Sequence, residues 1–257
     1  MVGADDKGLQ NGIPNIEGTR ERLALPGGLV TLFRAIVPPT GRVALAEPTV
    51  HGVTDAVLAA GRRYVDVGRD ARFRVHKEGL AFALREQTTS AVYLADPDDP
   101  TSTRPHASWV ARAARSRCTL IVDRRYDLPD HVGPEAITIL GIDRKEVVHL
   151  LASEPWVPLL RTAGARTSTY RQGYPPRASP RGLWLLASQR PGLQLERPKG
   201  PRFWLRVPGI PSATIAAYAC STAVEGSTAW TWRDAVAIRP LPLVAAKRLL
   251  DALEACR

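Results

Sequence analysis

The segments LADPDDPTST (residues 94–103) and CTLIVDRRYD (residues 118–127) decide how this chain is read. Each continues an apolar run that stops at an acidic residue, Asp96 after SAVYLA and Asp123 after TLIV. Short, continuous apolar runs closed by turn residues are strands covered on both faces. Between the two segments, ASWVARAARSR (residues 107–117) carries apolar residues at helical spacing. Strand, helix, strand is the unit of a parallel sheet. In such sheets ligands bind beyond the carboxyl ends of the strands, where Asp123 falls. Asp98-Asp99-Pro100-Thr101 is turn chemistry, since Asp bonds its own backbone and Pro presets φ.

The alternation continues outward in both directions. LVTLFRAIV (29–37), VTDAVLAAG (53–61) and GLAFALRE (79–86) read as helices, and RVALAEP (42–48) and RRYVDVG (62–68) as strands. AITILGI (136–142) and EVVHLLA (146–152) add two strands. After a Pro- and Arg-rich stretch come PRFWLRVPG, SATIAAYACSTA, DAVAIRPLP and PLVAAKRLLDALEA, read as strand, helix, strand, helix. The fold class expected is α/β: a three-layer, mainly parallel sheet with helices on both faces, followed by a small C-terminal α+β domain. The expected divisions are a loose, polar arm over 1–22, a large α/β domain over 23–171, a connection over 172–200 and the small domain over 201–257.

Composition narrows the classes of function. The net charge of +10 comes from arginine, with lysine only at positions 7, 77, 145, 199 and 247. The basic residues are scattered, so the charge gives a nucleic-acid module little support and is equally compatible with an anionic small ligand. Cys118, Cys220 and Cys256 form no paired spacing, and the five histidines lie far apart, so no metal site is expected. No apolar run approaches the roughly 18 residues of a membrane span, and no leader pattern opens the chain. A cytoplasmic, reduced protein is expected.

In order and spacing, these segments resemble the class I/II aminotransferases of pyridoxal-phosphate (PLP) fold type I, in particular the histidinol-phosphate aminotransferase and threonine-phosphate decarboxylase branch. The resemblance runs from about Leu25 to Leu253, in a chain shorter than full family members. It implies a role for each matching position. Pro26-Gly27-Gly28 stands where a turn at a helix start binds the cofactor phosphate, because free N–H groups and the helix dipole favour an anion there. Asp123 matches the aspartate that keeps the pyridine nitrogen protonated, and Tyr126 the tyrosine that donates to the phenolic oxygen.

Other positions depart from the pattern. After Pro48-Thr49 a stacking ring is replaced by Val50, with His51 one place on. Asp99 stands for an asparagine, and a carboxylate accepts where an amide donates. The Schiff-base lysine is expected near residue 153, where Ser153 is followed by Glu154; counting back from Gly164-Ala165-Arg166 puts Pro158 there instead. Neither residue is an amine, and Lys145, on the preceding turn, is poorly placed for the role. Arg161 and Arg166 are candidate phosphate ligands. Ala237 replaces the substrate-carboxylate arginine, with Arg239 two residues on along the same strand face.

The joint departures lead to a degenerate aminotransferase-fold protein. It would bind an amino-acid-like or phosphorylated metabolite, or a partner, in a biosynthetic pathway. No covalent cofactor is expected; PLP held without a covalent bond is compatible. The alternative is a divergent enzyme using the same cleft, with Asp123, Tyr126, Asp99 and Glu154 as acid–base groups. By family analogy the chain is a homodimer, or a heteromer with an active partner, away from membranes and nucleic acid.

Overall fold

The computed structural model describes residues 20–50, 52–70, 73–98, 101, 103–125, 135–170, 189–190, 194–195, 203–222, 230–232, 235–238 and 243–256. Eight strands form the larger sheet: β1 (Arg20–Leu25), β2 (Arg42–Leu45), β3 (Arg63–Asp66), β4 (Thr89–Ala95), β5 (Thr119–Asp123), β6 (Ile137–Ile142), β7 (Val148–Ser153) and β8 (Arg166–Thr167). Their spatial order is β3-β2-β4-β5-β6-β7-β1-β8. β3, β2, β4, β5 and β6 are parallel; β7 runs against both β6 and β1, and β8 against β1. The expected mainly parallel sheet is therefore present.

Alternation along the strands builds the two core faces. Val43, Leu45, Tyr93 and Ile121 point to one side, packing with α1 (Gly28–Ile36), α2 (Val53–Ala59) and Leu160 of α5 (Val157–Thr162). Ala44, Val92, Leu94, Leu120 and Val122 point to the other, against α3 (Lys77–Ala83) and α4 (Ala107–Ala114). A strand flanked by helices on both faces has no polar side to show, which explains the unbroken apolar runs read in the sequence. On the first face Phe33 meets Tyr93 edge to face, with ring centroids 6.4 Å apart. That contact fixes the Tyr93 ring two residues below the end of β4.

The smaller sheet has the order β11-β12-β10-β9, all antiparallel, from β9 (Gln194–Leu195), β10 (Phe203–Arg206), β11 (Trp230–Trp232) and β12 (Ala235–Ile238). It is accompanied by α6 (Ser212–Thr222) and α7 (Leu243–Ala255), which pack on each other.

Four strands, β1, β8, β9 and β11, fall outside the elements read from sequence. β1 begins at Arg20, inside the stretch read as a loose arm, and lies between β7 and β8. Its RERLAL pattern buries only Leu23 and Leu25 completely, on the α1 face, while the arginines leave the other face polar. β9 falls inside the 172–200 stretch read as a connection. Its two residues are too short to leave a periodic signal. Among the described residues no helix is long and apolar enough to cross a membrane, and no group of His, Cys, Asp and Glu could hold a metal ion.

Candidate functional site

Asp123 ends β5 at the carboxyl edge of the parallel strands, on the same face as Ile121 and Tyr93. Its carboxylate is 1% exposed. A group this buried must be paired, and the chain supplies the partners itself. The Tyr93 hydroxyl donates to Oδ2 at 2.5 Å. Arg125 wraps around the carboxylate: its backbone N–H donates to Oδ1 at 3.1 Å, Nε lies 3.0 Å from Oδ1 and 2.9 Å from Oδ2, and Nη2 is 2.5 Å from Oδ2. This is the bidentate geometry for which a guanidinium is shaped. Burial and the neighbouring carboxylate together push the Tyr93 hydroxyl well above its ordinary pKa, so it stays protonated as a donor.

A second buried pair underlies the turn after β4. Arg69 bonds Asp98 through Oδ2 and also donates to the carbonyl of Ala46 at 2.8 Å. Thr101 donates to the same Asp98 oxygen at 2.9 Å, and the Asp98 N–H reaches the Thr103 carbonyl at 2.9 Å. Asp98 is thus tied to Thr101 and Thr103 on the far side of this segment. On the opposite face Arg124 lies 3.4 Å from Glu135, which is fully buried and accepts from Thr138 at 3.1 Å.

The hairpin between β6 and β7 decides the geometry of the rest. Asp143 Oδ1 accepts the N–H groups of Lys145 at 2.8 Å and Val147 at 3.0 Å, and these bonds hold its carboxyl below the usual range. β7 then returns antiparallel, and Ser153 donates through both N–H (3.0 Å) and hydroxyl (3.2 Å) to the Ala136 carbonyl at the start of β6. Asp123 is level with Ile139, and Ile139 with Leu150. Ser153 therefore lies three residues along β7 from the level of Asp123, roughly 10 Å toward the opposite edge at the usual rise.

This topology corrects two expectations. Glu154 does not stand with Asp123; it begins a short 3₁₀ turn, Glu154–Trp156, at the amino edge of the parallel strands. Lys145, by contrast, lies on the turn just past the end of β6, at the same edge as Asp123. Two adjacent apolar runs give the same sequence signal whether the second is parallel or folds back, so a count to the next serine lands on the wrong edge.

The remaining candidates are scattered. Gly27 and Gly28, with φ of 82° and 68°, open α1 at the carboxyl edge, and the Gly28 N–H donates to the Glu146 carbonyl at 2.6 Å. Only a residue without a side chain takes two successive positive φ angles at little cost. Arg161 is exposed on α5 and paired with Glu21 near the start of β1, away from Asp123. Arg166 is exposed on β8, four strand spacings or roughly 19 Å from β5. Val50 is buried in the α1-side core. His51, Asp99, Tyr126 and Arg239 lie outside the described residues. Tyr93, Glu146 and the position of Lys145 were not read as parts of the site; the pairing of Arg125 with Asp123 has a local signal in their separation of two residues.

Beside this edge, a cleft of about 700 Å³ opens between the β3–α3 and β4–α4 connections. Its rim includes Arg74, His76, Lys77, Arg104, His106 and Trp109. His76 and His106 cap α3 and α4, each accepting a backbone N–H through Nδ1 at 3.3 Å. The Lys77 ammonium sits 5.6 Å from the Trp109 ring centre.

The sheet order and the likeness to solved structures give the chain the aminotransferase fold, PLP fold type I. It is 27% identical over 128 residues to a histidinol-phosphate aminotransferase of Roseiflexus castenholzii, a match covering 50% of this chain and 34% of that relative, so it spans about a third of the length of the curated relative it matches. The structure superposes on a Thermus thermophilus aspartate aminotransferase mutant with a TM-score of 0.71 at 16% identity, covering 92% of this chain and 80% of that one. It superposes on cystalysin from Treponema denticola, a structure containing PLP, with a TM-score of 0.68 at 11% identity, covering 91% and 76%. No family model matches the chain.

At Asp123 the structure departs from what the resemblance implies for PLP. A carboxylate has about four lone-pair positions. Those of Asp123 are taken by Tyr93 and Arg125, leaving none for a pyridine nitrogen.

Proposed function

We propose that this chain is an aminotransferase-fold protein that does not perform conventional PLP transamination and binds an amino-acid-like or phosphorylated metabolite instead. The observation that carries the reading is the Asp123 carboxylate, bound on both oxygens by Arg125 and Tyr93. Val50, buried in the core where the resemblance implies a stacking ring, supports it. The ligand site we favour is the cleft rimmed by Arg74, Lys77 and Arg104. Arg74 pairs with Asp70 at 2.7 Å and Arg104 with Asp96 at 3.0 Å, and both guanidinium groups are exposed. Exposed pairs are weak, so a ligand carboxylate or phosphate can compete for them while Trp109 offers a flat apolar wall. The reading keeps a large domain over 23–171 and a small one over 201–257, in a cytoplasmic homodimer or a heteromer with an active partner.

Calorimetric titration with serine, phosphoserine and inorganic phosphate tests this. Saturable binding without added cofactor, weakened by Arg104→Ala, is expected. Absence of binding by all three contradicts it.

A second reading has one observation in its favour. Lys145 lies at the edge that carries Asp123, so a divergent enzyme could use that amine with PLP at this edge. Borohydride trapping separates the two readings.

A further inference from the structure

We infer that the chain supplies its own counter-ions at the carboxyl edge of the strands: Arg125 fills the cationic position against Asp123, and Glu146 fills the anionic position at the start of α1. The inference rests on the reading that no cofactor is held covalently there.

The start of α1 favours an anion and has none of its own. Its N-cap is Gly27, no side chain caps it, and its first turn holds no acid. Four N–H groups at a helix start lack partners within the helix, and the dipole leaves that end positive. The anion comes from the β6–β7 turn. Glu146 accepts the Gly28 N–H through its carbonyl at 2.6 Å. Its Oε2 lies 3.9 Å from where a Cβ on Gly28 would stand, so the carboxylate is beside the helix start. Glu146 holds this place at φ 57°, in the left-handed region where glycine or asparagine is the ordinary choice. A glutamate kept in a conformation it disfavours points to a use for its carboxylate.

Arg125 mirrors this at the other end. Asp123 lies on the face that carries α1, and its buried charge is neutralised by a guanidinium two residues along the same chain. At this edge each charge position thus faces a side chain of the chain itself. A phosphate approaching α1 meets the Glu146 charge, and a pyridinium approaching Asp123 meets the Arg125 charge; both are like-charge encounters.

The test uses ligands that cannot form an imine, inorganic phosphate and pyridoxine 5′-phosphate, with the full chain. Glu146→Gly and Glu146→Asn both suit the positive φ and remove the charge. Each is expected to bind both ligands about tenfold more tightly than the wild type, as removal of one like charge predicts. Adding Arg125→Lys to Glu146→Gly, which keeps the charge against Asp123, should not improve pyridoxine phosphate binding further. Arg125→Ala in that background should, provided its circular dichroism shows it folded. Glu146 variants that bind no better than the wild type overturn the inference and leave the absence of a covalent cofactor standing. An imine trapped on the wild-type chain with pyridoxal phosphate overturns that underlying reading instead.

Discussion

The larger sheet carries a carboxylate–guanidinium pair at each end, and the two differ in nearly every respect that matters. Asp123–Arg125, at the carboxyl edge, joins neighbours in sequence, buries the carboxylate fully and adds the Tyr93 hydroxyl. Glu21–Arg161, at the amino edge, joins residues far apart in sequence, with side chains 34% and 45% exposed. Water screens the second pair, and long side chains lose freedom to make it, so it contributes little. The first pair cannot be broken cheaply, because removing one partner strands a charge in the core. The same chemistry thus serves as a structural commitment at one edge and as surface decoration at the other.

Mutations should grade this contrast. Arg125→Ala leaves Asp123 buried and unpaired, and should lower unfolding free energy by about 3–5 kcal/mol in chemical denaturation. A loss below about 1 kcal/mol would mean that the pair is not sealed from water. Tyr93→Phe removes one hydrogen bond to a charged acceptor and should cost about 1.5–3 kcal/mol by the same measurement.

The Tyr93 hydroxyl also ties stability to pH. Its pKa is raised in the folded chain above the ordinary 10.0. Above pH 10 the unfolded chain sheds this proton while the folded chain retains it. The contribution is therefore complete below about pH 10 and is lost as pH climbs toward the folded value. Urea midpoints should fall more steeply above pH 10 in the wild type than in Tyr93→Phe. Parallel curves would remove Tyr93 from the account. At the other edge, Arg161→Ala should shift stability by less than about 1 kcal/mol, and less still in high salt.

Much of the fold was legible because unbroken apolar strands and amphipathic helices leave strong local periodicities. Asp123 was legible for a related reason, as an acid that ends such a strand at a ligand edge. What escaped was set by direction and register. The runs at 136–142 and 146–152 carry no mark that the second folds back, so Glu154 was matched to a station whose edge holds Lys145 instead. Tyr93 was read as one more buried strand residue; only the parallel register that places Ala95 beside Asp123 brings its hydroxyl within reach of the carboxylate. β1 is half polar and short, and its place between β7 and β8 comes from partners over a hundred residues away.

The central claim is that this edge is closed by the chain's own groups and does not hold PLP through a lysine. Pyridoxal phosphate should be titrated into the wild-type chain, reduced with borohydride and the digest mapped by mass spectrometry. The account predicts no saturable imine absorbance and no stoichiometric adduct at Lys145. A stoichiometric adduct at Lys145, formed at low cofactor concentration, would contradict it and establish a working Schiff-base lysine beside Asp123.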